Sequence, residues 1–228
     1  LSFTEEERAQ IVENLNEHLS QYEALRAHEV PNSRAPAFMF DPRRGGAKVP
    51  DVASDADGAD VALPNVERPR TPEDLAFAPV AELAHLLRTR QVTSVELTRL
   101  ALDRLRRYDD DLKAVITYTE ERALDAARRA DAELDAGNWR GPLHGVPYGA
   151  KDLLAVKGYK TTWGATPFKE QQIDETATVI EKLDEAGAIL VAKLSLGALA
   201  WGDVWYGAKT KNPWNLDQGS SGSSAGPA

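Results

Sequence analysis

Between Gly145 and Lys193 the chain alternates in a way that argues for a sheet with helices packed on it. A short glycine-bounded segment, Gly145-Val146-Pro147-Tyr148-Gly149-Ala150-Lys151-Asp152, comes first. Thr176 to Ala186 follows with Val179, Ile180 and Leu183 at helical spacing, and Gly187 stops it. Ala188-Ile189-Leu190-Val191-Ala192 then reads as a strand covered on both faces. Strand, helix, strand predicts an α/β fold. In open sheets of this class ligands sit beyond the carboxyl ends of the strands, where Lys151 and the Lys193-Leu194-Ser195 segment fall.

The residues before this unit are helical in period. Thr4 with Glu7 forms a capping box for a helix to about Glu29, and Ile11, Leu15, Leu19, Tyr22 and Leu25 recur on one face. That apolar stripe needs a partner, either the main body or a second copy of the chain, so a homodimer through residues 1–29 is one expectation. Residues 30–72 are proline-rich and read as an extended arm, a free linker or a strap anchored by Phe38, Met39 and Phe40. Residues 73–228 read as the globular domain. There a short helix carries Leu83, Leu86 and Leu87, and a second opens on the capping box Thr93 to Glu96 and runs to Tyr108-Asp111. A strand is predicted over Ala114 to Tyr118, and a third helix from Thr119 to Asp135, closed by Gly137.

Composition narrows the chemistry. A formal net charge of -9 without a concentrated basic patch argues against a nucleic-acid surface. The absence of cysteine excludes disulfides and thiolate chemistry. His18, His28, His85 and His144 never fall at metal-ligand spacing and read as helix-surface or loop residues, so no metal is expected. No run reaches the roughly 20 apolar residues of a membrane helix. The chain opens on Leu1 with the acidic Glu5-Glu6-Glu7, unlike an export signal; a cytoplasmic location is expected, with export left open because the true start is taken to be missing.

Two features carry chemistry. Asp217 to Gly226 packs four serines and three glycines into ten residues, which reads as a loop presenting hydroxyls and amide N–H groups to one spot, or as a flexible linker. Lys151 ends a short apolar strand. Burial lowers a lysine pKa, and a neutral lysine can take a proton from a serine, which makes a serine hydrolase without histidine conceivable; the alternative is a lysine merely solvated or paired with Asp152.

Taken in order, Gly145 to Leu153, Thr161-Thr162-Trp163-Gly164, Glu185 to Lys193, Asn212-Pro213-Trp214-Asn215 and Gly219-Ser220-Ser221-Gly222-Ser223-Ser224-Ala225 resemble the blocks of the amidase signature family. The resemblance extends from about Phe77 to Ala228. It implies a mixed sheet wrapped by helices and amide hydrolysis, or ammonia transfer, by a Ser-cisSer-Lys triad. On that resemblance Lys151 is the catalytic lysine. Ser220 is the bridging serine behind a cis Gly219–Ser220 peptide, and Ser221, Asp152 and Ser224 are supporting residues. Gln218 and Ser223 stand where the family usually has glycine.

The family's nucleophile lies in a downstream Gly-Ser motif, so the resemblance places it and the oxyanion hole beyond residue 228. Ser223 and Ser224 rank below that as nucleophiles. The chain is accordingly expected to be the N-terminal part of a larger domain, inactive alone. The implied function is an amidase acting on a small-molecule amide, with no cofactor. The alternatives are the amidase subunit of a tRNA-dependent amidotransferase and a binding protein that has lost catalysis. Trp201, Trp205, Tyr206 and Trp214 are expected to be packing residues.

Overall fold

A computed structural model describes residues 4–31, 34 and 62–220 of the chain. The chain divides into two units, Leu1–Asp57 and Gly58–Ala228. In the first, α1 (Glu5–Arg26) begins at the predicted capping box, in which Thr4 N–H donates to Glu7 Oε2 at 2.8 Å and Glu7 N–H to Thr4 Oγ1 at 3.2 Å. Every described residue of this unit is exposed, the predicted stripe of Ile11, Leu15, Leu19, Tyr22 and Leu25 included. The anchors predicted for the arm, Phe38, Met39 and Phe40, lie outside the described residues.

The second unit begins with α2 (Pro72–Ala76) and α3 (Val80–Arg88), followed by α4 (Ser94–Leu112), β1 (Val115–Tyr118), α5 (Glu120–Asp135) and β2 (Pro147–Lys151). After these come α6 (Thr178–Glu185), β3 (Ile189–Leu194), and a ribbon of β4 (Lys211–Asn212) and β5 (Asn215–Gly219). The mixed α/β class is as the sequence implies. The start of α4 differs in one respect from the capping box read there. Thr93 Oγ1 accepts from Glu96 N–H at 3.1 Å, but the Glu96 carboxylate turns away to pair with Arg68. Asp131 of α5 takes up two other open N–H groups at this helix start, accepting from Ser94 and Val95 at 2.8 and 3.0 Å.

The three-stranded sheet has the order β1-β3-β2, with β3 antiparallel to β1 and parallel to β2. A central strand covered on both faces explains the unbroken apolar run. Ile189 and Val191 pack with Leu102, Val115, Ala123 and Ala127, under α4 and α5. Leu190 packs with Ala150, Val156 and Ile180, under α6. Truncating the fully buried Ile180 to alanine removes enough packed volume to cost about 2–5 kcal/mol. A third cluster of Leu75, Leu86, Leu87, Leu97 and Val146 joins α2, α3 and α4 to the entrance of β2, where Ser94 Oγ donates to Gly145 O at 2.9 Å.

One irregularity in this sheet matters for everything downstream. Tyr148 stands opposite Leu190, but Gly149 stands opposite Ala192, so β3 carries an extra residue at this point. A bulge shifts the alternation by one position. Lys193 therefore comes onto the same face as its neighbour Ala150, and hence as Asp152, while Lys151 points to the other face beside Leu194.

Candidate active site

Lys151 is the last residue of β2 and is half-buried. Its amine makes no hydrogen bond or ion pair among the described residues. It borders a cavity of about 290 Å³ whose walls include Tyr148, Leu153, Leu154, Ile180 and Leu183. The Tyr148 hydroxyl is buried and without a hydrogen-bond partner among the described residues. Burial, reinforced by the Asp184 charge, pushes its pKa up to about 12.

Asp152 does not pair with Lys151, the partner sequence adjacency suggests. Successive residues of a strand face opposite ways, and Asp152 turns inward to Lys193. Lys193 Nζ lies 2.6 Å from Asp152 Oδ1, both side chains having no exposed surface. The ammonium also donates to Lys160 O at 2.7 Å and to Thr161 Oγ1 at 2.8 Å. Asp152 Oδ2 accepts from Thr162 N–H at 2.7 Å and from the Thr162 hydroxyl. Main-chain bonds run from Asp152 N–H to Leu194 O at 2.9 Å and from Trp163 N–H to Asp152 O at 3.3 Å. Burial holds the Lys193 pKa below its ordinary value, against the opposing pull of Asp152. Nothing in the sequence marks Lys193 as the partner of Asp152. The one available signal is its place at the end of an otherwise apolar strand, where an unmatched ammonium would be untenable.

The start of the Gly/Ser stretch is strand and not the loop its composition suggests. Asp217, Gln218 and Gly219 belong to β5, and Ser221 and Ser224 lie outside the described residues. Gly219 lies close to the Asp203 and Lys209 side chains, which would have to shift to admit a Cβ. Ser220 is exposed, and its N–H donates to Thr210 O at 2.8 Å. Gly219–Ser220 is trans, since no cis peptide occurs among the described residues, whereas the family resemblance implies a cis bond there. A cis peptide before a residue other than proline persists only where its surroundings dictate it, and here an ordinary bond to Thr210 O takes up the Ser220 N–H.

Thr210 links this segment to the end of β3. Its hydroxyl is 2.7 Å from Ser195 Oγ and 3.2 Å from Lys113 O, and Ser195 N–H donates to Ala114 O at 2.8 Å. Ser220 and Lys151 thus lie toward the same end of the sheet. No hydrogen bond joins them among the described residues.

Other sequence expectations are corrected here. Trp201 and Trp214 are 80% and 91% exposed, so neither packs in the described structure. Trp205 is partly covered, donating from its indole N–H to Lys113 O at 3.3 Å and meeting Tyr206 edge-on. His144 lies in the 142–145 turn, a loop position as the sequence reads, but it is fully buried there at the other end of the sheet. Its Nδ1 accepts from Arg140 N–H at 3.1 Å, its Nε2 is 3.3 Å from Glu133 Oε2, and Arg140 pairs with the same carboxylate. Burial lowers the His144 pKa against the opposing influence of Glu133. No cluster among the described residues could hold a metal ion, and no described helix is long and apolar enough to cross a membrane.

Comparison with known proteins agrees with this architecture. The amidase family model matches residues 96–228. The Mycobacterium tuberculosis protein named "Putative amidase AmiD" is 39% identical over 170 residues, covering 74% of this chain and 35% of that protein. A glutamyl-tRNA(Gln) amidotransferase subunit from Halorhodospira halophila is 39% identical over 152 residues, covering 65% of this chain and 31% of that protein. Among solved structures, the peptide amidase of Stenotrophomonas maltophilia superimposes with a TM-score of 0.60 at 29% identity, over 66% of this chain and 33% of that one. The chain spans about a third of the length of these curated relatives. A match over more than half of its residues, on a helix-covered sheet of the same kind, places this chain in the amidase signature family.

Proposed function

We propose that the full-length protein hydrolyses a carbon-nitrogen amide bond of a small-molecule substrate through an acyl-enzyme, with Lys151 as general base and then general acid. Ser220 relays the proton, with Ser221, Ser224 and Asp152 in support, and the nucleophile is a serine beyond residue 228. The observation that carries the reading is the state of Lys151. It is a half-buried amine at the carboxyl end of a parallel strand, bordering a cavity and free of any counter-ion among the described residues. An amine so placed can accept a hydroxyl proton once neutral, whereas a tightly paired ammonium cannot.

Ser220 approaches this end of the sheet through its N–H bond to Thr210 O, and the Thr210 hydroxyl in turn meets that of Ser195. The test is Lys151→Ala in the full-length protein, assayed on simple primary amides. Loss of a general acid–base group predicts a fall in kcat/KM of about 10²- to 10⁴-fold. Retained activity would sink the assignment.

The equal identity to an amidotransferase component favours one second reading, that the protein delivers ammonia within a larger assembly. Purification at native levels distinguishes the two. A free enzyme hydrolysing added amides supports the first, and co-purification with further protein components and tRNA supports the second.

A further inference from the structure

Lys193 is the largest of the side chains with no exposed surface, and every contact its ammonium makes is with residues around the end of β2. A buried ion pair adds little to stability over an apolar pair of similar volume, so stability alone does not account for one in a core. What this pair does is geometric. The bulge in β3 puts Lys193 on the face of Asp152, opposite the face of Lys151, and the pair fixes that carboxylate there. Through Thr161 and Thr162 it also fastens the 160–163 loop to the strand end.

We propose that the Lys193–Asp152 pair is a positioning device: Lys193 balances the Asp152 charge on the inner face, and the pair holds the strand end and the 160–163 loop in place while the Lys151 amine stays unpaired. The proposal rests on the reading of Lys151 as the base. Lys193 and Asp152 act through Lys151 and are not themselves catalytic. The other titratable groups around the pair are Lys160 with its partner Glu170, and Tyr206, whose pKa burial pushes up, with Asp152, Lys160 and Glu170 nearby. The cavity walls at Lys151 add Tyr148.

The test compares Lys193→Met with the double variant Asp152→Asn/Lys193→Met in the full-length protein. The reactivity of the Lys151 amine toward acetic anhydride is followed against pH by peptide mass spectrometry, beside the pH profile of kcat/KM. Lys193→Met removes a positive charge and leaves the Asp152 charge uncompensated beside Lys151, so the labelling midpoint is expected to rise by about one pH unit. The acid limb of kcat/KM should rise with it. The double variant is neutral and close in volume. It should return the midpoint to the wild-type pH, while kcat/KM stays lower by about tenfold through loss of the loop anchor.

A folded Lys193→Met protein with an unmoved midpoint overturns the proposal. If that variant does not fold, a double variant with wild-type kcat/KM overturns it instead. Labelling needs no turnover, so failure of the Lys151 assignment, seen as full activity in Lys151→Ala, is told apart from failure of the charge arrangement.

Discussion

The two ends of the central sheet handle charge in opposite ways. At the end near Gly187, His144 is buried between Arg140 and Glu133, and Asp184 pairs with Arg122. At the other end Lys193 is as deeply buried and its ammonium bonds Asp152, Lys160 O and Thr161, yet the neighbouring lysine, Lys151, is left without a partner among the described residues. Burial and pairing by themselves therefore do not mark a site. The distinguishing feature is one titratable group left unpaired beside a rigidly paired scaffold, since only such a group can change protonation without dismantling the core.

The largest stability effect should come from Lys193. Replacing it by methionine leaves the Asp152 carboxylate buried and unmatched, and should cost about 3–5 kcal/mol in urea unfolding. The double variant Asp152→Asn/Lys193→Met should recover most of that loss. A single variant as stable as the wild type would break the contrast, for it would mean that this end is not locked.

At the opposite end the lever is pH. His144 has its folded pKa below the 6.5 of an ordinary histidine. The unfolded chain therefore binds the proton first as pH falls, and the stabilisation present above pH 6.5 is lost progressively down to the folded pKa. One proton sets the ceiling of this effect at about 1.4 kcal/mol per pH unit. Thermal unfolding between pH 7.5 and pH 5 should show it in the wild type and not in His144→Gln. An unchanged slope in that variant would assign the dependence elsewhere.

The smallest stability effect should belong to the residue with the largest effect on rate. Lys151→Met removes an amine that holds nothing, so its unfolding free energy should stay within about 0.5 kcal/mol of the wild type. Destabilisation comparable to that of Lys193→Met would make Lys151 a structural lysine and erase the difference between the two.

Most of the element order was legible in the sequence. Helical spacing marks α3, α4, α5 and α6, and the unbroken Ile189-Leu190-Val191-Ala192 run marks a strand covered twice, because each pattern follows from which local face must leave water. The block order also pointed to the family, since it depends on residue identities alone. Helix-end detail was less legible. Thr93 and Glu96 satisfy the capping pattern, yet the Glu96 carboxylate pairs with Arg68, and Asp131 of another helix takes up the Ser94 and Val95 N–H groups.

Within the site the division is sharper. That Lys151 ends a strand, and that a Gly/Ser segment follows soon after, can be read from the residues in order, for both are properties of local composition. It takes the folded chain to turn Asp152 to Lys193 and not to Lys151, to bury His144, and to leave Gly219–Ser220 trans with its N–H on Thr210. The physical reason is register. One extra residue in β3 reverses which side chains share a face, and that pairing between strands distant along the chain leaves no trace in the periodicity of either.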